Sequence, residues 1–176
     1  MSEEIVFKFA NAKEISAIKK NNLQVKTVLE GSGLVDDVFV AKKSGKVIGG
    51  VVFIGNYMLR VSTDPEYRNN PNGLGGKLFD KAVLAQFDKH PEINHIFLHS
   101  EADEKSKQKS LDQWLERRGL TREKADRFSI TRERAHELER KRINQRFPIT
   151  KKYRITSISK KRKLPSVPKP QRKRVR

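Results

Sequence analysis

The sequence predicts a mixed α/β domain, in which helices pack on a central sheet, followed by a strongly basic C-terminal extension. Short β-branched runs alternate with helical patterns from residue 5 to residue 132, and a glycine turn joins a strand to a helix at Gly73–Gly76. Charge is divided unequally, because residues 1–133 hold 22 Lys+Arg and 19 Asp+Glu, whereas residues 134–176 hold 17 Lys+Arg and two Glu. We therefore expect a near-neutral domain over residues 1–133 and a basic extension over residues 134–176.

The N-terminal region begins with a strand pattern and a helix pattern. Ile5–Phe9 has apolar residues in the period of two that a half-buried strand requires. Asn11, followed three residues later by Glu14, forms a capping-box pattern that predicts the start of a helix. A second, irregular helical stretch is expected to stop at Gly31 and Gly33.

Three strands follow in succession. Asp37–Ala41 and Val47–Ile54 are apolar, β-branched runs, and the five residues between them include a Ser-Gly pair that can supply positive φ angles. This arrangement predicts a hairpin. Tyr57–Thr63 is the third strand pattern, and Asp64-Pro65 ends it.

The second half of the domain alternates helices and strands. The helix after Gly73–Gly76 has a regular apolar face and ends at His90-Pro91. Ile93–Leu98 is then expected to be a strand, Leu111–Arg118 a helix, and Phe128–Thr131 a last strand.

The glycine turn is the first candidate for chemistry. A tight turn between a strand and a helix leaves backbone amides at the positive end of the helix dipole, where they bind phosphate. Glycine suits such a turn because a side chain would keep a pyrophosphate away from the backbone. Glycines in a turn also serve plain packing, so the pattern alone leaves both interpretations open.

The surrounding residues favour phosphate binding. Leu59–Arg68, followed by Gly73–Leu78, resembles the acyl-CoA motif of the GNAT superfamily of N-acetyltransferases, in which a Pro-x-Tyr-Arg step precedes a Gly-x-Gly turn and a helix. The segment from Trp114 to Leu120 is similar to the aromatic-Glu-Lys-x-Gly-Phe ending of that family. The resemblance covers about Ile5–Arg132. It implies a mainly antiparallel central sheet flanked by helices, with acetyl-CoA or another acyl-CoA as the cofactor.

The resemblance also implies which residues hold the cofactor. Backbone amides of the glycine turn would bind the pyrophosphate, a strand edge would hydrogen-bond the pantetheine arm, and splaying of two strands would form the slot for the thioester. The expected cofactor-binding residues are Val61, Thr63, Arg68, Asn72, Gly73, Leu74, Gly75, Gly76 and Lys77.

The chain departs from the family pattern in two places. Asn70 stands where the family has Arg or Gln, and the turn is enlarged by residues 69–72. Leu115 occupies the position where many members have a Tyr that protonates the departing thiolate. The enlarged turn is compatible with phosphate wrapping by Asn amides and also with a degenerate site.

Acetyl transfer to an amine requires a neutral amine, so a base or a water chain is expected near the thioester. Glu101, just past the strand Ile93–Leu98, and Tyr57 are the catalytic candidates, with His99 and Ser100 as adjacent possibilities. Each has a structural alternative: Glu101 opens a charged run typical of a solvated face, and Tyr57 is also a suitable core aromatic.

The basic extension suggests a polyanionic partner. Residues 133–145 have helical composition, residues 147–159 interleave apolar and basic residues in a strand-like pattern, and residues 160–176 read as an extended arm. A run of like charges self-repels and either binds a polyanion or remains unfolded. A solubilising or localisation signal is the alternative, and a membrane is disfavoured because no amphipathic anchor is present. The expected nucleic-acid-binding residues are Arg140, Lys141, Arg142, Arg146, Lys151, Lys152, Arg154, Lys160, Lys161, Arg162, Lys163, Arg172, Lys173 and Arg174.

Other classes of function have little support. The chain has no cysteine and no His, Asp and Glu spacing that indicates a metal site, and it lacks the motifs of hydrolases, nucleotide triphosphatases and dehydrogenases. No secretory signal or spanning segment is apparent, so an intracellular location, cytoplasmic or associated with nucleic acid, is expected. Two functions remain: an acyl-CoA-dependent N-acetyltransferase acting on a nucleic-acid-associated amine, or a catalytically degenerate protein of that fold that binds DNA or RNA.

Overall fold

A computed structural model describes residues 4–20, 29, 35–68, 73–100 and 105–146. Its strands are β1 (Ile5–Phe9), β2 (Asp37–Lys43), β3 (Lys46–Ile54), β4 (Tyr57–Thr63), β5 (His95–His99), β6 (Thr121–Arg122) and β7 (Arg127–Thr131). Its helices are α1 (Ala12–Lys20), α2 (Pro65–Arg68), α3 (Leu74–Lys89), α4 (Lys105–Arg117) and α5 (Arg132–Arg146).

The seven strands form one sheet in the order β1-β2-β3-β4-β5-β7-β6. Five of the neighbouring pairs are antiparallel, and β4 and β5 are the parallel pair. The crossover between β4 and β5 contains α3, which is the helix that a parallel connection requires. The expected mixed α/β fold with a mainly antiparallel sheet is therefore confirmed.

The two faces of the sheet are covered by different helices. In β2, Phe39 and Ala41 join the main core under α3, whereas Val38 and Val40 join a smaller cluster with Ile18 of α1. This division follows from the strand period of two, which sends successive side chains to opposite faces. Because both faces are buried, β2 and β3 are apolar over most of their length instead of alternating with polar residues.

The hairpin between β2 and β3 has the predicted turn. Ser44 has a φ angle of 49° and Gly45 a φ angle of 80°, and positive values at both central positions characterise a type I′ turn. The twist of this turn matches the right-handed twist of the strands that it joins. The turn places β3 in the interior of the sheet, next to β4.

Several element boundaries differ from the sequence prediction. β5 begins at His95 and not at Ile93, because Ile93 lies in a turn that its amide closes on the His90 carbonyl at 3.1 Å. Helix α4 begins at Lys105, six residues before Leu111, since Lys and Gln in its first turns have good helix propensity and Gln108 also bonds to Ser100 and Asp112. The two-residue strand β6 was not predicted. The irregular helical stretch before Gly31 lies almost wholly outside the described residues.

The predicted helix over residues 133–145 is observed as α5. Its residue Ala135 is buried, and Leu138 packs against the main core. At Gly119, which has a φ angle of 84°, a Cβ atom would stand 2.4 Å from Leu138 Cδ1. The described part of the basic extension is thus packed on the domain, while the division of the chain at residue 133 stays a prediction. None of the described helices has the length and apolar composition to cross a membrane.

Candidate functional site

The site begins where the two parallel strands separate. The pairing of β4 with β5 consists of Tyr57 with Phe97 and Met58 with Leu98. Beyond these positions β4 continues to Thr63 beside β3, and β5 continues beside β7. A gap between the carboxyl ends of β4 and β5 results, which is the strand separation that the sequence led us to expect.

A β-bulge lies next to the last paired position. Val52 pairs with Arg60, and the next residue of β3, Phe53, pairs with Met58, so that Leu59 is the extra residue in β4. A bulge bends its strand and increases the local twist, and this one lies where the pairing of β4 with β5 stops. Leu59 is 41% exposed and Tyr57 is 39% exposed, so two large apolar side chains flank the point of separation.

The glycine turn forms the N-terminus of α3. Gly73 is the N-cap in a left-handed conformation, with φ 57° and ψ 57°, and no side chain of the described residues caps it. The first helical hydrogen bond runs from the Lys77 amide to the Gly73 carbonyl at 3.0 Å, so the amides of residues 74–76 precede the helical ladder. The first turn also contains no acidic residue. The helix therefore presents uncapped donors and the positive end of its dipole.

The turn and the end of β4 are neighbours. A Cβ atom at Gly75 would stand 3.8 Å from the methyl carbon of Thr63, which is ordinary van der Waals contact, and one at Gly73 would have no atom within 4 Å. On the other side of Thr63, a Cβ atom at Gly49 would stand 3.3 Å from the same methyl carbon and 2.9 Å from Leu78 Cδ2. The glycine in β3 thus allows α3 to lie close to the sheet directly beneath the turn.

The structure brings together one part of the predicted cofactor set. Thr63 is buried at the end of β4 beside Gly75, Val61 is half-buried against the core, and Lys77 is exposed in the first turn of α3. Arg68 ends α2, and only its backbone is described. Asn72 lies outside the described residues.

Of the two predicted catalytic residues, Tyr57 is described, and it is not beside the turn. Tyr57 lies at the paired end of β4, where its ring is 5.5 Å from that of Phe97. It lies six positions before Thr63, which corresponds to roughly 20 Å of extended strand. Glu101 falls outside the described residues.

Leu115, which stands at the position of the Tyr that protonates the thiolate in many GNAT members, is part of the core. Leu115 is 2% exposed, and the neighbouring Trp114 ring packs edge-on against Phe79 with 5.4 Å between the centroids. Both side chains close the domain beneath α3. A proton donor at the position of Leu115 is therefore absent from this chain.

Polar residues at the end of β5 form a hydrogen-bond network. Ser100 is the one member of this network that the sequence analysis had singled out. The buried Ser100 hydroxyl donates to Asp112 Oδ1, and Gln108 Nε2 donates to the same carboxylate oxygen at 2.8 Å. Arg122 contacts the other oxygen at 2.6 Å. The Ser100 hydrogen bond, with those from Arg122 and Gln108, holds the pKa of Asp112 below its ordinary value although burial acts in the opposite direction. The i, i+4 spacing of Gln108 and Asp112 was the available signal.

The basic side chains of α5 differ in their surroundings. Arg140 and Lys141 are exposed, and Lys141 pairs with Glu137 at 2.6 Å. Arg142 is less exposed and contacts Asp80 of α3 at 2.9 Å. Arg146 ends α5 with only its backbone described, and the predicted nucleic-acid-binding residues from Lys151 onward lie outside the described residues.

Solved structures with this arrangement include acetyltransferases. The spermidine/spermine N-acetyltransferase SpeG from Vibrio cholerae matches with a TM-score of 0.54 and 16% identity, over 77% of this chain and 99% of SpeG. An acetyl-CoA complex of a GNAT family acetyltransferase from Brucella melitensis matches with a TM-score of 0.52 and 13% identity, over 74% of this chain and 89% of that protein. The KacTA–DNA complex matches with a TM-score of 0.55 and 9% identity, over 78% of this chain and 99% of the matched chain.

No protein-family model and no curated protein sequence matches the chain. At such low identities the structural matches establish architecture and leave activity to be argued from residues. The chain has the GNAT acetyltransferase fold, in agreement with the sequence resemblance.

Proposed function

We propose that this protein is an acyl-CoA-dependent N-acetyltransferase that acts on an amine of a nucleic-acid-associated substrate. The observation that carries the proposal is the uncapped N-terminus of α3, which lies beside Thr63 at the open end of the gap between β4 and β5. An anion-binding helix terminus next to a strand gap suits a ligand with a pyrophosphate at one end and an extended arm behind it.

The residues at this position fit acetyl-CoA. Amides of residues 74–76 are proposed to donate to the pyrophosphate, and the small Gly73 and Gly75 leave room for its approach. Lys77 adds an exposed cation in the same turn, and Arg68 and Asn72 are proposed to assist it. Val61 and Thr63 offer the β4 backbone to the pantetheine arm. The similar GNAT family protein from Brucella melitensis was solved with acetyl-CoA.

The cofactor supplies an acetyl thioester, and the protein must hold a neutral amine against it. Tyr57 and Glu101 are proposed to accept or relay the proton of the amine. Tyr57 has an exposed ring beside the β4 bulge, where the slot begins. Because Leu115 lies in the core, this chain provides no acid at that position, and protonation of the leaving thiolate falls to water or another group.

The proposed class of substrate is based on the positive charge of the C-terminal extension. The 16 Lys+Arg among residues 140–176, with no acidic residue, favour a polyanionic partner. Arg140 and Lys141 are exposed on α5, at the start of this run. Such contacts fix position on a phosphate backbone without reading bases. The amine is therefore proposed to belong to a nucleic acid or to a protein or aminoacyl group bound to one.

Calorimetric titration with acetyl-CoA tests the cofactor site. Gly75→Asp puts a carboxylate against the proposed pyrophosphate position and is expected to weaken binding at least about tenfold through like-charge repulsion. Lys13→Gln is the matched control, because it changes the net charge by the same amount at an exposed position of α1, on the opposite face of the sheet. An unmodified protein that does not bind at millimolar acetyl-CoA would contradict the proposal.

A second candidate function is nucleic-acid binding without turnover, and the burial of Leu115 in place of the acid favours it. An assay for the free thiol of CoA separates the two candidates. The protein is incubated with acetyl-CoA and an amine-bearing nucleic acid, and the enzyme releases the thiol. The binding protein gives no release, and its oligonucleotide affinity survives Gly75→Asp but falls when the four residues Lys160–Lys163 are replaced by Gln. Affinity that is insensitive to this replacement would contradict the second candidate.

A further inference from the structure

Arg118, directly after α4, reaches back to the first turn of α3. Its Nη1 donates to the Gly76 carbonyl at 2.9 Å and also to Asp80. The guanidinium lies over the Trp114 ring, with 5.0 Å from Cζ to the ring centroid. Three separate groups thus hold one cation beside the glycine turn.

The guanidinium occupies the space that a side chain at position 76 would need. A Cβ atom on Gly76 would stand 1.8 Å from Arg118 Nη2 and 2.5 Å from Cζ, distances that non-bonded atoms do not reach. Gly75, in contrast, has room for a methyl group. The second glycine of the Gly75-Gly76 pair therefore leaves the space that the Arg118 guanidinium fills, and a side chain at position 76 would displace that guanidinium.

A cation at this end of a helix is electrostatically unusual. Helix dipoles favour anions at the N-terminus and cations at the C-terminus, so Arg118 stands where the dipole opposes it. Asp80 offsets part of this cost, but it also holds Arg142 and serves two cations. An anion bound at the amides of residues 74–76 would complete the charge balance of the turn.

We propose that Arg118 is a positioning residue for the pyrophosphate turn: by joining the Gly76 carbonyl to Asp80, it fixes the first turn of α3 so that its amides point at one anion. The proposal rests on the acetyl-CoA site argued above and assigns to it a residue outside the glycine motif. A lysine at this position keeps the charge, but it lacks the planar guanidinium that lies over the Trp114 ring while its Nη1 donates to both oxygens.

The fluorescence of Trp114 reports on the surroundings of Arg118. Trp114 is the one tryptophan of the chain, and the Arg118 guanidinium lies over its ring. Titration of the full-length protein with acetyl-CoA is expected to change Trp114 emission when the turn tightens around Arg118. In Arg118→Lys, we expect the affinity for acetyl-CoA to fall about tenfold, as for the loss of one charge-assisted hydrogen bond, and the emission change to disappear. Arg117→Lys, at the exposed preceding position, is the matched control and should behave as the unmodified protein.

Acetyl-pantetheine, which lacks the pyrophosphate, separates positioning from general damage. Its weaker binding should be equal in Arg118→Lys and in the unmodified protein. An equal loss for both ligands would overturn the proposal, as would unchanged acetyl-CoA affinity in a folded Arg118→Lys. Failure of the unmodified protein to bind acetyl-CoA would instead remove the proposed function, and this inference with it.

A double-mutant cycle provides an independent test. Gly76→Ala alone should weaken acetyl-CoA binding, because the new methyl group displaces the guanidinium. In an Arg118→Ala background the space is empty, so Gly76→Ala should have little further effect on affinity. Additive losses in the double variant would show that the two residues act separately and would refute the positioning role.

Discussion

The Asn11 side-chain oxygen accepts a hydrogen bond from the Glu14 amide at 2.9 Å, and the Glu14 carboxylate accepts one from the Asn11 amide at 3.0 Å. This reciprocal capping box starts α1, as its spacing in the sequence predicted. The same carboxylate contacts Lys42 at 2.6 Å and Lys8 at 2.8 Å, so it also joins α1 to β1 and β2. One buried side chain thus caps a helix and fixes it on the sheet.

Glu14→Gln separates these two tasks. Glutamine retains the capping geometry, since the capping box accepts Glu or Gln, but it loses the charge that faces the two lysines. We expect the free energy of unfolding to fall by about 1–2 kcal/mol, the value of charge-assisted hydrogen bonds on a nearly buried carboxylate. Urea denaturation measures the change. Glu4→Gln, at an exposed position, is the control and should leave the midpoint unchanged.

The contribution of Glu14 should depend on pH. Burial raises the pKa of Glu14, but hydrogen bonds from Lys42, Lys8 and the Asn11 amide outweigh it and lower the pKa from 4.5 to about 2. A group with a depressed folded-state pKa stabilises above its unfolded pKa and loses that effect as the pH falls through the folded value. The stability difference between the unmodified protein and Glu14→Gln should therefore be constant above about pH 5 and shrink between pH 4.5 and about 2. A difference that stays constant to pH 2 would contradict this assignment.

The two glycines that flank Thr63 should respond differently to alanine. At Gly49 a Cβ atom would meet Leu78 Cδ2 at 2.9 Å and the Ser62 carbonyl oxygen at 3.1 Å, so Gly49→Ala forces α3 away from the sheet and should cost about 1–3 kcal/mol. At Gly75 the nearest atom is 3.8 Å away, so Gly75→Ala should retain or slightly increase stability. Thermal unfolding of both variants checks the pair, and an equal loss in both would refute the packing explanation.

Local patterns in the sequence predicted most of the sheet correctly. β4 was predicted with its observed bounds, and the β2–β3 turn has the positive φ angles expected of Ser44 and Gly45. These features depend on hydrophobic period and turn chemistry, which a single segment contains. β6 was missed because a two-residue strand has no period of its own and forms only where β7 provides a partner.

The site was predictable only in part, because some of its contacts join residues that are far apart in the sequence. Gly73–Gly76 was identified because three glycines lie within four residues and precede an apolar helix. The contact between Arg118 and Gly76 joins residues 42 positions apart, and an arginine near the end of a polar helix gives no local signal of it. Likewise, Tyr57 was chosen by strand order, and its pairing with Phe97, which places it at the closed end of the gap, involves a strand far away in the sequence.

The last prediction concerns the basic residues of α5, which were grouped together by composition but stand in different surroundings. Arg142 contacts Asp80 at 2.9 Å and docks α5 on α3, whereas Arg140 is exposed to solvent. Arg142→Gln should therefore lower the free energy of unfolding by about 1–2 kcal/mol, because Asp80 loses one of its cations. Arg140→Gln should change stability by less than about 0.5 kcal/mol.

For the binding of nucleic acid, we expect Arg140→Gln to have a larger effect than Arg142→Gln. Arg140→Gln should weaken the binding of a defined oligonucleotide and reduce the salt slope by about one, since each phosphate contact releases about one counterion. Arg142→Gln should leave the slope nearly unchanged while Asp80 neutralises that arginine. Fluorescence anisotropy at several salt concentrations, combined with urea denaturation, gives both quantities for each variant. An equal change of slope in the two variants would contradict this division, because it would mean that Arg142 leaves Asp80 to contact phosphate.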